Sequence, residues 1–219
     1  MVRVVAVNTS PRRGWNTSDL VRAAAKGAEF QGAQSEVIDL YTKEKFTGCI
    51  SCFACKKEPN LGRCVCRDGL AEVLEKIRKA DGLILGTANY LCSATAGFHA
   101  LYERLVFQYL TYRKESMCCN PRRIPVLLII TGNMPETSYA PEQPNGQMLL
   151  RYQSTLNQYI GPTKTFVCGD TIQVKDYSLY HWTLFDAKAK MDRHTKIFPK
   201  EKERAFCMGA ELAVLSRRD

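Results

Sequence analysis

The chain has 219 residues, a formal net charge of +9 and a hydrophobic fraction of 45%. This length and composition predict one globular domain that can bury a full core. The opening segment, MVRVVAVNTSPRR, has too short an apolar run for a signal peptide, and no window has the apolar length of a membrane-spanning helix. We therefore expect a cytoplasmic protein with no membrane partner. In that compartment, clustered cysteines are more often metal-binding or catalytic than disulfide-bonded.

The positive charge suits either of two partners, a nucleic acid or an anionic cofactor or substrate. The basic residues are dispersed along the chain, and the late run KAKMDRHTKIFPKEKER mixes both signs. We interpret that run as solvated surface. The cysteine-rich region lacks histidine, and the chain has no aromatic platform motif, so we expect no nucleic-acid partner.

Apolar β-branched runs and helical periodicities alternate along the chain. The predicted strands cover residues 2–8, 35–40, 81–90, 123–133 and 163–169. The predicted helices cover residues 19–30, 69–80, 95–113, 147–160 and 200–218. Asp68 is the expected N-cap of the second helix.

This alternation predicts an α/β fold, a flavodoxin-like three-layer sandwich with a five-stranded parallel sheet in the order 2-1-3-4-5. We expect a single domain over residues 1–219, with a cysteine-rich loop at 48–66 and an irregular aromatic segment at 169–198. That segment and the Pro-rich loop 134–146 are candidates for walls of a site or for subunit contacts.

The turn after the first strand, TSPRRGWNTS, leads into a helix at the sheet edge where open α/β folds bind ligands. It carries four hydroxyl side chains and two arginines. Backbone N–H groups at a helix N-terminus bind anions, so the turn could cradle a phosphate. An ordinary N-capped turn explains the residues equally well. The turn matches neither G-x-G-x-x-G nor the P-loop.

The segment NTSPRRGWNTSDLV resembles the signature N-S-P-R-x-x-(G/S)-N-(T/S)-x-x-L of the NADPH-dependent FMN reductase superfamily, with Thr9 where that family usually has Gly. The resemblance implies that the FMN phosphate contacts Ser10, Arg12, Asn16, Thr17 and Ser18.

A second segment, GTANYLCSATAGFHALYERL, is similar to the family's G-S-P-x-Y-x-x-x-x-(T/S)-x-x-x-K-x-x-x-D-R. The residues that it implies around the flavin ring are Thr87, Ala88, Asn89, Tyr90, Leu91 and Ser93. Cys92 lies in the same loop, and His99 stands where the family has Lys. In the loop after the fourth strand, Thr131, Gly132 and Asn133 are candidates for the flavin edge because of their position.

Five of the ten cysteines lie in GCISCFACKKEPNLGRCVC, as Cys49-x-x-Cys52-x-x-Cys55 followed by Cys64-x-Cys66. A tight triplet with one more distant cysteine is typical of a 4Fe–4S cluster, and zinc or no metal are the alternatives. The pattern resembles that of the iron–sulfur flavoproteins, which implies Cys49, Cys52 and Cys55 as ligands. The fourth is Cys64 or Cys66. The loop leaves the predicted flavin edge, so we expect a cluster there to exchange electrons with the flavin.

The resemblance implies an FMN-dependent oxidoreductase that moves electrons from NAD(P)H or a reduced carrier to an acceptor, by way of the 4Fe–4S cluster. The alternative is a non-catalytic, flavodoxin-type electron carrier whose cysteine loop binds no metal. The expected assembly is a homodimer or a dimer of dimers, with ferredoxin or another redox protein as a possible partner. The sequence identifies no catalytic acid or base.

Overall fold

The computed structural model describes residues 1–217. Its strands are β1 (Arg3–Asn8), β2 (Gln34–Asp39), β3 (Gly82–Tyr90), β4 (Ser93–Ala94), β5 (Val126–Thr131) and β6 (Thr163–Cys168). Its helices are α1 (Asn16–Phe30), α2 (Gly69–Lys79), α3 (Ala96–Phe107), α4 (Pro144–Tyr159), α5 (Ala187–Lys196) and α6 (Phe198–Leu215).

The five longer strands form a parallel sheet in the order β2-β1-β3-β5-β6. The flavodoxin-like order predicted from the sequence is confirmed. The count differs because β4, a two-residue strand that the sequence did not reveal, pairs antiparallel with the end of β3.

Two apolar cores lie on the two faces of the sheet. One joins the sheet to α2, α3 and α4, and the other joins it to α1 and α6. The central strand β5 is buried throughout and β3 is buried over its first six residues, as expected for strands covered on both faces. Helices α1 and α6 pack so closely that a Cβ on Gly209 would lie 1.9 Å from the carbonyl oxygen of Ala24.

Several helix and strand boundaries differ from the sequence-based prediction. Helix α1 begins at Asn16 instead of residue 19. Helix α3 ends at Phe107 instead of residue 113, because the chain then turns back and Tyr109 and Thr111 bond to the backbone of residues 117–119. Residue 218, the predicted end of the last helix, lies outside the described residues.

The segment predicted to be irregular contains helix α5. The prediction missed this helix because its sequence, AKAKMDRHTK, has almost no apolar periodicity. Asp186 caps the helix by accepting a hydrogen bond from the Ala189 N–H, and Lys190 is buried rather than solvated.

Within residues 1–217, we find no helix with the length and apolar character needed to cross a bilayer.

Candidate functional site

The turn between β1 and α1 places a helix N-terminus at the carboxyl edge of the sheet. Trp15 is the N-cap residue, and its side chain makes no capping hydrogen bond. The first N–H groups of a helix have no partner inside the helix, so here they need an acceptor from outside. Ser10, Asn16 and Thr17 are buried around this end. The local structure therefore suits an anion such as a phosphate.

Two of the predicted phosphate ligands, Arg12 and Asn16, make side-chain hydrogen bonds to backbone carbonyl oxygens in another part of the chain. The Arg12 guanidinium donates to the Gln173 carbonyl oxygen at 2.6 Å and stacks on the Trp15 ring. The Asn16 amide donates to the Ile172 carbonyl oxygen at 2.8 Å. Both interactions tie the turn to the segment that follows β6.

The buried hydroxyl of Ser18 also has a partner within the chain, because it accepts a hydrogen bond from Arg22 Nε at 3.3 Å. Ser10 and Thr17 remain as the hydroxyl side chains closest to the helix end. The Ser10 hydroxyl accepts only a long bond, 3.3 Å, from the Arg12 N–H.

Hydroxyl hydrogen bonds join the three predicted flavin loops. Thr17 Oγ1 lies 2.7 Å from Thr131 Oγ1, which links the phosphate turn to the end of β5. Thr95 Oγ1 donates to the Thr9 carbonyl oxygen at 2.7 Å and lies 3.3 Å from Thr87 Oγ1. The sequence therefore brings these loops to one edge, as predicted.

The segment after Thr87 contains a buried polar atom without a partner. The Asn89 amide nitrogen donates to the Tyr139 hydroxyl and to Asn145 Oδ1, both at 2.8 Å. Asn89 Oδ1 is buried and has no hydrogen-bond partner within residues 1–217. A buried acceptor of this kind costs free energy unless a donor meets it, so it fits a ligand N–H.

Leu91 and Cys92 form the two-residue loop of the hairpin that joins β3 to β4. Their φ values are +53° and +57°, and neither is a glycine or an asparagine. Two consecutive positive φ values are typical of type I′ hairpins, which favour Asn-Gly. Leu91 is fully exposed, and Tyr90 is 48% exposed. Strain of this kind occurs most often at ligand or partner contacts.

In the loop after β5, only some of the three residues predicted to contact the flavin lie near the loops that follow β1 and β3. Thr131 meets Thr17, and Gly132 packs on Tyr139, since a Cβ on Gly132 would lie 2.3 Å from that hydroxyl. Asn133 turns toward α5, where Lys190 Nζ donates to its carbonyl oxygen at 2.7 Å and to Oδ1 at 2.9 Å.

Tyr139 and Asn145 are the site residues that the sequence did not single out. Both lie on the segment from the Pro-rich loop to the start of α4, and both are buried. The sequence had indicated only the Pro-rich loop itself, as a candidate wall of a site. It did not indicate which residues of the loop take part.

His99 lies in the first turn of α3, beside the hairpin. Its Nε2 is 2.9 Å from Ser93 Oγ and 3.1 Å from the hydroxyl of buried Tyr152. The ring is half-buried against Tyr152 and Phe98 rather than free on the helix surface.

All five cysteines of the 48–66 loop line one cavity. The cavity is closed on the other side by Arg104, Phe107 and Gln108 of the α3 region. Ser51 and Phe53 adopt positive φ values, +52° and +57°. Alternating left- and right-handed residues turn backbone N–H groups inward, an arrangement found around anions and iron–sulfur clusters.

Among the described residues, the cavity lining contains one charged side chain, Arg104, and no carboxylate. Burial raises the pKa of the Cys55 thiol, and the neighbouring Lys56 opposes that effect. Burial likewise raises the pKa of the Cys66 thiol, against the influence of Arg104. In these surroundings the cysteine thiols would lose their protons only when a positively charged metal centre binds.

Arg104 is held by a carboxylate behind the cavity. Its side chain is 1% exposed, and Nη1 lies 2.6 and 2.7 Å from the two carboxylate oxygens of Asp68. Burial alone would raise the pKa of Asp68, but the bonds from Arg104 and from the Thr47 and Leu70 N–H groups outweigh it and lower the pKa. Asp68 also caps α2, as predicted from the sequence.

The thiols line a cavity rather than meeting at one point. Within the described part of the chain, no three His, Cys, Asp or Glu side chains converge closely enough for a single metal ion. A cubane has its irons at separate corners, so it needs thiols distributed around a space. The space measures about 20 Å³. That volume holds roughly one water, so the loop would have to widen around a cluster.

The cysteine cavity lies at the opposite end of α3 from the flavin loops. Gly48 meets the middle of that helix, and the Cys64 N–H donates to Gln108 Oε1 at 3.1 Å, beyond its end. Thr95 caps the other end. At 1.5 Å per residue, Thr95 and Arg104–Gln108 are roughly 14–20 Å apart. The cysteine loop starts at the edge of the sheet where the flavin loops lie, as expected. Its cysteines, however, lie near the C-terminal end of α3, away from those loops.

These features define the class of the protein as a flavodoxin-like α/β fold with its candidate ligand loops at the carboxyl edge of the sheet. The family model described as NADPH-dependent FMN reductase matches residues 2–121, and the chain belongs to that family. The family match supports FMN as the cofactor.

Two curated relatives are both named iron–sulfur flavoprotein. The one from Methanocaldococcus jannaschii is 37% identical over 103 residues, 47% of this chain and 51% of the relative. The one from Methanosarcina thermophila is 30% identical over 105 residues, 48% of this chain and 53% of the relative. The match spans about half the length of these relatives.

Solved structures share the fold at low identity. A NAD(P)H:quinone oxidoreductase from Methanothermobacter marburgensis aligns with a TM-score of 0.65 at 15% identity, covering 96% of each chain. An azoreductase from Bacillus anthracis aligns with a TM-score of 0.66 at 14% identity, covering 96% of this chain and 100% of that one.

Proposed function

We propose that the protein is an FMN-dependent oxidoreductase that takes electrons from NAD(P)H or a reduced carrier and passes them to an acceptor, with a 4Fe–4S cluster in the cysteine loop. One observation carries the proposal beyond the family: five thiols line a single cavity that contains no carboxylate. The names of the two relatives support the same combination of cofactors.

The residues that would hold FMN follow from the helix end at the carboxyl edge of the sheet and from the polar side chains around it. The N-terminus of α1 and the Ser10 and Thr17 hydroxyls would hold the phosphate. Asn89 Oδ1 would accept from a ring N–H, and the hairpin at Leu91 would cover the ring. Bound FMN supplies the hydride and one-electron chemistry, while the chain binds and orients it and limits solvent access.

The four cluster ligands in this proposal are Cys49, Cys52, Cys55 and Cys64. Cys64 is preferred to Cys66 because the Cys66 thiol lies 3.9 Å from Asp68 Oδ2, and a thiolate there would face a carboxylate.

Serine variants of the two candidates test this assignment. We expect anaerobically purified Cys64→Ser to lose most of its iron and acid-labile sulfide, and Cys66→Ser to keep both. FMN content and the far-UV circular dichroism of both variants should match the parent protein. Loss of iron from Cys66→Ser alone would reverse the assignment, and retention by both single variants would mean that either thiol serves.

The competing function is an electron carrier with no substrate turnover. The two functions differ in steady-state oxidation of NADH or NADPH by the pure, FMN-loaded protein with an artificial acceptor. The proposal expects turnover that disappears when FMN is removed and returns when it is added. No turnover with either nucleotide, together with fast electron exchange with reduced ferredoxin, would establish the carrier.

We also propose a homodimer or a dimer of dimers. Tyr180 and Trp182 stack at 4.4 Å on the aromatic segment after β6, each more than 40% exposed, and Leu179 and Leu184 beside them are 76% and 81% exposed. Contiguous exposed apolar groups of this kind support a protein contact. Analytical ultracentrifugation should give at least twice the chain mass, and Trp182→Glu should lower it.

A further inference from the structure

A cleft of about 340 Å³ opens at the amino-terminal edge of the sheet, opposite the flavin loops. Five separate parts of the chain build it: the last turn of α2, the end of the α3 region, the loop 59–63, the loop 119–124 and Ile160 at the end of α4. None of them belongs to the loops assigned to FMN.

The floor of the cleft is apolar and belongs to the folded core. Ile77, Leu105, Ile124 and Ile160 line it, and each is no more than 5% exposed. These side chains are fixed by the packing of the sheet and helices. The apolar surface is therefore already formed before any ligand binds, as in most small-molecule sites.

The rim of the cleft is basic, with Arg63, Arg78, Lys79 and Arg122. Two carboxylates behind the rim balance them only in part. Glu75 pairs with Arg78, Lys79 and Arg63 at 2.6, 3.1 and 3.7 Å, and Asp81 pairs with Arg122 at 2.7 Å. Four cations share two carboxylates, and the cleft lining within residues 1–217 contains no acidic side chain. The rim thus carries an excess of positive charge.

Tyr109 adds a polar group to the buried wall. The residue is 5% exposed and lines the cleft. Burial raises the pKa of this hydroxyl, so it remains a neutral donor. A donor of this kind at the edge of an apolar floor would orient the head group of a ligand.

We propose that this cleft binds a small organic anion with an apolar body, its carboxylate, phosphate or sulfonate group on the basic rim. The volume is near the lower limit of ligand sites, roughly 300 Å³, and is too small for a whole dinucleotide. The proposal is independent of the function proposed above, because no residue of the FMN loops takes part.

The cleft also contacts the cysteine loop. The Gly62 N–H, in its wall, donates to the Cys55 carbonyl oxygen at 3.0 Å. A Cβ on Gly62 would lie 3.4 Å from Cys119 Sγ, which lines the cleft. A ligand would therefore rest against the stretch of chain that joins Cys55 to Cys64, and Cys119 reports whether the cleft is filled.

The test uses 1-naphthoate as the probe and uncharged 1-naphthylmethanol as its matched analogue, with the full chain saturated with FMN so that the flavin loops do not compete. We expect saturable binding of naphthoate by titration calorimetry and roughly tenfold weaker binding of the alcohol. The double variant Arg63→Gln/Lys79→Gln, at two exposed rim positions, should weaken naphthoate roughly tenfold. The control Lys164→Gln/Lys188→Gln removes two exposed lysines elsewhere and should not change binding.

Alkylation by N-ethylmaleimide, followed by peptide mass mapping, locates the probe. Naphthoate should slow the labelling of Cys119 and leave that of exposed Cys207 on α6 unchanged. Equal effects of the rim and control variants, no protection of Cys119, or no saturable binding would each overturn the proposal. If the rim variant fails to fold, the alcohol comparison and the Cys119 protection on the parent chain decide the outcome. Separate arms with naphthyl phosphate and naphthalenesulfonate identify the preferred head group.

Discussion

Arg104 is the residue on which the cysteine cavity depends most. It is buried, its charge is paired with Asp68, and it donates to the Cys66 carbonyl oxygen at 3.0 Å. Removing one partner of a buried ion pair leaves an uncompensated charge. One side chain thus connects α2, α3 and the wall of the cavity.

We expect Asp68→Asn to lower the free energy of unfolding by about 3–5 kcal/mol, measured by urea denaturation. The control is Glu72→Gln on the same helix, which removes an exposed carboxylate paired with Lys43 and Lys76. That control should cost less than about 1 kcal/mol. Equal effects of the two variants would contradict the role given to Arg104.

The same pair predicts a pH dependence. The pKa of Asp68 is lowered in the folded state from its ordinary value of 3.8. Its stabilisation is therefore fully present above that value and is lost as the pH falls through the lower, folded-state pKa. We expect the stability difference between the parent and Asp68→Asn to be constant from about pH 5 to 7 and to shrink below about pH 4. A difference that grows on acidification would refute this sign.

Asn89 is the residue that tests the flavin loops most simply. Asn89→Ala removes the unpartnered buried acceptor, and we expect FMN affinity to fall roughly tenfold, or about 1.4 kcal/mol, by fluorescence titration. The matched control is Asn60→Ala, in the distant 59–63 loop, which should not change the affinity. An Asn89→Ala protein with parental FMN affinity would remove Asn89 from the site.

At the scale of elements, the β3–β4 hairpin carries strain that the sequence alone did not predict. A left-handed residue costs roughly 1–2 kcal/mol unless it is Gly, Asn or Asp. Leu91 and Cys92 both have positive φ values, so each carries this conformational cost, and the Leu91 side chain is fully exposed. We infer that the loop retains these side chains for contact with a ligand or a second subunit.

Replacing the pair by Asn-Gly should therefore raise the free energy of unfolding by about 1–2 kcal/mol, because both residues accept positive φ. Thermal and urea unfolding measure the change. Leu215→Gln, which also removes an exposed leucine, at the end of α6, is the control and should stay within about 0.5 kcal/mol. A hairpin variant that is less stable than the parent would show that no strain is released there.

The elements that the sequence predicted share a strong pattern, and those it missed lack one. The buried runs of β1, β3 and β5 and the amphipathic α2 were visible because apolar spacing determines them. Helix α5 was missed because tertiary contacts stabilise it, mainly the buried Lys190 and its bonds to Asn133. The early end of α3 was missed because the backbone pairing of Tyr109 with Cys119 has no local signal.

At the scale of the whole molecule, the order of the sheet and the edge that holds the ligand loops followed from the alternation of strands and helices. The meeting of Thr17 and Thr131 at this edge also followed, since parallel strands end at one edge. The sequence could not reveal that Asn133 and Ser18 face other partners. The depth of the cysteine cavity along α3 was equally hidden, because it depends on the path of a loop without regular structure.

The cofactor content of the anaerobically purified, reconstituted protein tests most sharply whether one chain carries both FMN and a 4Fe–4S cluster. We expect one FMN and about four iron and four acid-labile sulfide per chain. Iron below one per chain after anaerobic reconstitution, or a protein that releases no FMN on denaturation, would contradict this expectation.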